Sequence, residues 1–289
     1  MHWTTSRFLI DLSQPKVMGI VNVTPDSFSD GGQNNSVAAA LLHCERLIKD
    51  GADILDIGGE STRPGAQALP LAEELLRVLP IVREAVKLGV PVSVDTYKPQ
   101  VMQAVLDLGA DIINDVWALR WTDPDPSVSP LSGLQVVAGH THCGVCLMHM
   151  HREPRSMQVS PMEGDVVPRV LSFLELQAHI LIDLGVKKSQ IILDPGIGFG
   201  KTVAQNFALL DRQRELLVSG YPVLAGWSRK SSLAAVVGVP SGNLAPQERV
   251  VASVAAALLS VERGASVVRV HDVLETVQAL RVLNALKYL

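Results

Sequence analysis

One phrase recurs along this chain, and its recurrence restricts the possible folds more than any other feature. A short apolar run ends in a Gly- or Asp-rich corner, and a helical stretch follows. The runs fall at 17–24, 52–59, 91–96, 111–116, 145–150, 191–196, 222–228 and 266–272. Each is rich in Val and Ile and bounded by turn residues, the pattern of a fully buried strand. In the first intervening stretch Ala40, Leu41, Cys44, Leu47 and Ile48 share one helical face, and Gly51 supplies a C-terminal stop. Strand–helix alternation implies parallel pairing through crossover helices. Eight such units in 289 residues predict an α/β fold, a (β/α)8 TIM barrel, with a single domain over 1–289. A doubly wound open sheet would share the local pattern, but eight strands favour closure. The loops after the first two strands are long, and the 117–144 segment between the fourth and fifth is extended.

Composition excludes several classes. With 25 basic and 29 acidic residues the net charge is −4, which gives no whole-molecule attraction to nucleic acid. No run approaches the roughly 18 apolar residues of a membrane span. The opening MHWTTSRFLIDLSQPK lacks the apolar region of a signal peptide, and three cysteines make no disulfide framework. A cytoplasmic protein without membrane contact is expected.

Active sites of barrels collect where strands end. There this chain places Asn22, Asp56, Asp95, Asn114-Asp115, Met148-His149, Asp194, Ser228 to Ser231, Arg269 and His271, with Glu60 to Arg63 after the second strand. One Asp at a strand end is ordinarily a turn or cap residue. Seven or eight strands ending in carboxylate, amide or cation is a different matter, because desolvating so many polar groups at one mouth is costly without a ligand. Asp95, Asn114 and Asp194 form an acceptor set suited to a heterocyclic edge with several N–H donors. Arg63, Arg269 and His271 form a cationic set suited, beside Asn22, to a diphosphate and a hard divalent cation. Lys230 falls between the two sets.

Two stretches suggest other chemistry. ILDPGIGFGKT, 192–202, ends like a phosphate-binding loop, but Pro195 stands where that loop needs its first glycine, and Gly196, Gly198 and Gly200 alternate instead of following the dinucleotide spacing. HTHCGVC, 140–146, carries a Cys-x-x-Cys beside two histidines. A structural zinc site normally brings a second ligand pair, and strand alternation turns neighbours of Cys146 to opposite faces, so this stretch reads as turn and strand.

The segments MGIVNVTPDSFSDGG, GADILDIGGESTRPGA, VPVSVDTYKP, INDVWAL, LMHM, IILDPGIGFGKT, GWSRKS and RVHDV cover all eight runs in order. Together they resemble the dihydropteroate synthases, transferases that join 6-hydroxymethyl-7,8-dihydropterin diphosphate to 4-aminobenzoate and release pyrophosphate. The resemblance implies that Asp95, Asn114, Asp194 and Lys230 hold the pterin, with Met148 and Phe199 packed against it. It implies Mg2+ on Asn22, and Thr62, Arg63, Arg269 and His271 at the diphosphate. Ser231 would bind the aminobenzoate carboxylate, and Asp95, Lys230 and Arg63 would act in catalysis. The loops around 26–32 and 61–65 would exclude water, and the implied assembly is a homodimer. The chain departs from the family's usual pattern at MHMHREP, where His151 and Arg152 follow the methionines instead of a glycine.

Overall fold

The computed structural model describes residues 1–23, 32–61, 65, 67–123, 131–154, 156–238 and 244–286. Two strands precede the barrel: β1 (His2–Thr4) and β2 (Leu9–Asp11) form an antiparallel hairpin with Trp3 opposite Ile10. The eight predicted runs then appear as β3 (Lys16–Asn22), β4 (Ile54–Gly58), β5 (Val92–Asp95), β6 (Ile112–Asp115), β7 (Gly144–Met148), β8 (Ile191–Asp194), β9 (Leu224–Ala225) and β10 (Val267–Val270). All eight lie parallel in one sheet, ordered β8-β7-β6-β5-β4-β3-β10-β9. The amide of Leu193 donates to the carbonyl of Pro222 at 3.0 Å, which joins β8 to the approach of β9 and brings the sheet round into a barrel.

Each barrel strand is followed by at least one helix: α1 (Gly32–Asp50), α2 (Leu71–Ala85), α3 (Pro99–Asp107), α4 (Gly133–Gly139), α5 (Val166–Asp183), α6 (Val203–Asp211), α7 (Ser231–Val237) with α8 (Val250–Glu262), and α9 (Val273–Ala285). Helix α1 buries Ala40, Cys44 and Leu47 as its spacing predicts, and Gly51 ends it at φ +104°. The larger core lies between strands and helices. The 117–144 connection is long as expected, although α4 occupies only its second half.

A smaller core fills the barrel itself. Met18, Ile54, Ile112, Cys146, Ile192, Leu224 and Val267 meet inside, and Trp3, Ile10 and Leu12 of the hairpin close the same cluster. Trp3 is fully buried, and its indole N–H donates to the carbonyl of Gln190 at 2.9 Å. Arg7 pins the hairpin turn to buried Asp111, with Nε 3.0 Å from Oδ1 and Nη2 2.5 Å from Oδ2. The opening residues, unassigned from sequence, are thus the floor of the barrel. Three-residue strands are too short to show a period.

Alternation along each strand then sets what stands above that floor. Side chains two residues apart share a face. Ile54 is therefore followed inward by Asp56, Ile112 by Asn114, Cys146 by Met148, Ile192 by Asp194 and Val267 by Arg269. Above the apolar layer these mouth positions are polar, Met148 excepted.

Candidate active site

Register brings the polar layer together. Asp95 pairs with Asn114 on one side and Gly58 on the other, and Asp56 pairs with Ser93. The centre is Asp56, which is fully buried. Its carboxylate accepts from Ser93 Oγ at 2.6 Å, Asn114 Nδ2 at 3.2 Å and Arg269 Nε at 2.6 Å. Arg269 also donates through Nη2 to Asp95 Oδ2 at 2.7 Å. The expected division of charge into an acceptor set and a cationic set therefore needs correction at Arg269. Its guanidinium bridges two aspartates, and two carboxylates share one cation.

Asp95 is the under-supplied partner. Its Oδ1 is buried without a hydrogen bond among the described residues. Burial pushes its carboxyl up to about 7, against the lowering effect of Arg269 and with a further push from Asp56. On the other side of the mouth, Asp194 accepts the amide of Gly196 through Oδ1 at 2.7 Å. Burial raises this carboxyl too, opposed by the Gly196 amide and by Lys230. Lys230 Nζ lies 4.3 Å from the centre of the Phe199 ring, a cation–π distance.

The glycine loop after β8 has a structural logic of its own. Gly196, Gly198 and Gly200 all sit in the left-handed region, at φ +68°, +83° and +73°. A Cβ on Gly196 would fall inside the contact radius of the His149 carbonyl, and one on Gly200 would strike His151. Lys201 is buried beneath this loop. Its ammonium donates to the carbonyls of Gly196 (2.8 Å), His149 (3.2 Å) and Phe199 (3.2 Å), and burial lowers it to about 7. Thr202 caps α6, accepting from the Gln205 amide at 3.2 Å. The Lys-Thr pair that imitates a phosphate loop is a loop brace and a helix cap.

An apolar wall completes the mouth: Tyr97, Val116, Met148, Met150, Met157 and Phe199, with Trp117 and Trp121 packed behind. Tyr97 meets Trp121 edge to face at 5.2 Å. At the far side, His271 Nδ1 lies 2.9 Å from Ser228 Oγ, and Arg229 is paired with Asp272 at 2.6 Å. Asn22 ends β3 level with Gly58, half-buried. Ser231 is the first residue of α7 and is exposed. Thr62 and Arg63 lie outside the described residues, as do 24–31 of the first loop.

The wall and the polar layer thus bring apolar side chains beside a buried, acceptor-rich edge, a combination suited to a flat heterocycle bearing several N–H donors. The family model described as "Pterin binding enzyme" matches residues 18–271. Dihydropteroate synthase of Neisseria meningitidis serogroup B is 47% identical over 289 residues, covering 98% of this chain and 97% of the relative.

The chain belongs to the dihydropteroate synthase family.

The synthase of Escherichia coli K12 is 44% identical over 277 residues, with 96% of this chain and 93% of that protein covered. Among solved structures, Xanthomonas albilineans dihydropteroate synthase with 4-aminobenzoic acid has a TM-score of 0.86 at 47% identity, with 97% and 96% of the two chains covered. The Burkholderia cenocepacia enzyme complexed with 7,8-dihydropteroate has a TM-score of 0.85 at 46% identity, with 99% and 96% covered.

Within this family member, HTHCGVC divides between two cores. Cys146 faces the barrel interior and Cys143 the outer layer, both fully buried, with burial pushing the Cys143 thiol up to about 12. His140 is engaged with the Val136 carbonyl and with Asp107. Sequence reasoning passed over Asp56 as a centre, and it passed over Tyr97 and the two tryptophans. The available signal was parity: Asp56 stands two residues after the inward Ile54.

Proposed function

We propose that this protein condenses 6-hydroxymethyl-7,8-dihydropterin diphosphate with 4-aminobenzoate to give 7,8-dihydropteroate and pyrophosphate. The observation that carries this reading is the buried Asp95 Oδ1, which has no partner among the described residues and is set level with Asn114 at the mouth. The pterin edge would donate to Asp95 and Asp194, with Asn114 beside them and Met148 and Phe199 against the ring faces. Lys230, already over Phe199, would border the ring on the Asp194 side. His271, Arg269, Thr62 and Arg63 would serve the diphosphate, and the Ser231 hydroxyl the aminobenzoate carboxylate.

The hard step is cleavage of the bond between the pterin methylene and the diphosphate. Positive charge then develops on the methylene and spreads into the ring, where the carboxylates of Asp95 and Asp194 favour it. The aniline nitrogen attacks that carbon, so no protein nucleophile is needed. The loops around 26–32 and 61–65 would keep water from competing.

Asn22 is the residue that would hold Mg2+. Among the described residues no three His, Cys, Asp or Glu side chains gather as a metal site. One amide oxygen completed by substrate phosphates and water nevertheless suits Mg2+, which keeps several waters and takes few protein ligands. When bound, the ion would stabilise charge accumulating on the departing pyrophosphate.

Val251 on α8 and Val282 on α9 are large and exposed, at 82% and 70%. With the family membership they support a homodimer through these helices. No described helix is long and apolar enough to cross a membrane, which is compatible with a cytoplasmic single-domain enzyme over 1–289. Purified protein supplied with both substrates and Mg2+ should form dihydropteroate. Absence of that product would refute the assignment.

A further inference from the structure

The four residues from Asp95 to Lys98 lead from the ring edge into a second buried charge cluster. Thr96 Oγ1 donates to Glu74 Oε1 at 2.7 Å, and Tyr97 OH donates to Glu60 Oε1 at 2.9 Å. Lys98 Nζ donates to Glu74 Oε2 at 2.5 Å and also to Glu60 Oε2. The side chains of Lys98, Glu60 and Glu74 are only 6%, 8% and 1% exposed. One ammonium therefore sits between two carboxylates, with two hydroxyls supplying further donors.

Such a cluster is a poor device for stability alone. Desolvating three charges costs much of what their attraction returns, and apolar residues of equal volume often serve a fold as well. Its location suggests what it does instead. Glu60 belongs to the stem of the second loop, two residues before Thr62. The preceding Gly59 is held as well, its carbonyl accepting from Arg77 Nη1 at 3.0 Å. A Cβ there would come within 2.6 Å of Val78 on α2, so the stem lies flat against that helix. On its other side the cluster reaches the ring pocket, because Tyr97 is part of the apolar wall. Asp95, Tyr97 and Glu60 are thus rigidly related through one short turn and one buried ammonium.

We propose that Lys98, with Glu60, Glu74 and Tyr97, forms a positioning device that fixes the stem of the diphosphate loop relative to the ring-binding Asp95. The proposal rests on the function given above, in which Thr62 and Arg63 meet the diphosphate. Lys98 touches no substrate in this account; it acts through Glu60. The rival is plain structural support, which would loosen every ligand alike.

Glu60→Gln separates the two. It removes one charge, keeps an acceptor for Tyr97 and leaves the Lys98–Glu74 pair intact. Tyr97→Phe removes the other link to Glu60, and Lys98→Met removes the ammonium. Calorimetry with 6-hydroxymethyl-7,8-dihydropterin reads the ring site alone, and steady-state kinetics with its diphosphate reads ring and loop together. In Glu60→Gln and Lys98→Met the ring ligand should bind within about twofold of the parent protein, while KM for the diphosphate substrate rises roughly tenfold or more, as small misplacements of a binding group do. Should Lys98→Met fail to fold, Glu60→Gln carries the test. Parallel weakening of both ligands, or no change in KM, overturns the proposal. A parent protein that binds no dihydropterin at all would instead remove the functional reading beneath it, and this proposal with it.

Discussion

If Asp95 holds the ring as proposed, its carboxyl makes ring binding a proton-linked event whose size can be worked out. In the free protein burial holds this group up to about 7, and its Oδ1 has no donor among the described residues. A ring N–H placed on Oδ1 favours the ionised form and lowers the carboxyl in the complex. The group's affinity for a proton is thus higher free than bound, so binding releases a proton and affinity rises with pH. For a group near 7 that stays ionised in the complex, the dissociation constant should increase about 25-fold between pH 7.5 and 5.5, equivalent to about 1.9 kcal/mol. Below pH 6 the slope should approach tenfold per unit, with close to one proton released. Calorimetry with 6-hydroxymethyl-7,8-dihydropterin in buffers of different ionisation enthalpy measures both quantities, and titration of the free ligand removes its own contribution. Asp95→Asn should weaken binding and remove most of the pH dependence; any remainder belongs to Asp194, which burial also raises. A flat profile in the parent protein, or an unchanged slope in Asp95→Asn, would refute this reasoning.

Three further outcomes follow from the same geometry. Arg269→Met leaves Asp56 and Asp95 buried without their shared cation, so unfolding by urea at pH 7.5 should show a loss of about 3–5 kcal/mol. That loss should shrink at pH 5, where the raised Asp95 carboxyl has taken up a proton; a pH-independent loss would contradict the bridge. Trp3→Ala empties the barrel floor and removes the bond to Gln190, at a cost of about 3–5 kcal/mol, while kcat and KM at low temperature stay within about twofold of the parent. A large kinetic defect in folded Trp3→Ala protein would mean that floor and mouth are coupled. Chelation with EDTA should abolish turnover and weaken the diphosphate substrate while leaving the ring ligand unaffected, with recovery on adding Mg2+. Turnover surviving chelation would remove the metal from Asn22.

Eight strands and most of their inward polar ends were legible because period and parity are local properties. Asn114 and Asp194 follow inward isoleucines by two residues, and no knowledge of neighbouring strands is required to place them at the mouth. Asp56 satisfies the same parity, but its importance comes from three partners on three other strands: Ser93, Asn114 and Arg269. Those contacts depend on register, which no stretch of sequence carries by itself. The Lys98–Glu74 contact spans 24 residues and exists only because α2 packs beneath the turn after β5. The strands were also shorter than the apolar runs, most of all at β9, because the last residues of each run turn away into the βα corner. Lys201 misleads for a similar reason. Gly-Lys-Thr at a helix start resembles a phosphate grip, and only the fold of the preceding glycines supplies the carbonyls that bury the ammonium.

The distribution of charge at the mouth also bears on the proposed Mg2+. Four cations near it are already committed: Arg269 to Asp56 and Asp95, Lys201 to three carbonyls, Lys98 to two glutamates and Arg229 to Asp272. Against them stand the buried carboxylates of Asp56, Asp115 and Asp194, with that of Asp95 only 10% exposed. This balance welcomes positive charge on a bound ring, since Arg269 is shared by two carboxylates and Lys98 and Arg229 are paired elsewhere. It is unfavourable to a diphosphate, which adds negative charge beside carboxylates in a poorly solvated place. In the reading proposed here, Arg63, His271 and a divalent ion at Asn22 must offset that charge together, and Arg269 could contribute only by sharing what the aspartates already hold. The same imbalance that would hinder diphosphate binding favours its departure: once the methylene carries positive charge, the aspartates attract what remains and repel what leaves. Electrostatic preorganisation of this kind lowers the barrier without any group of the protein changing its bonds.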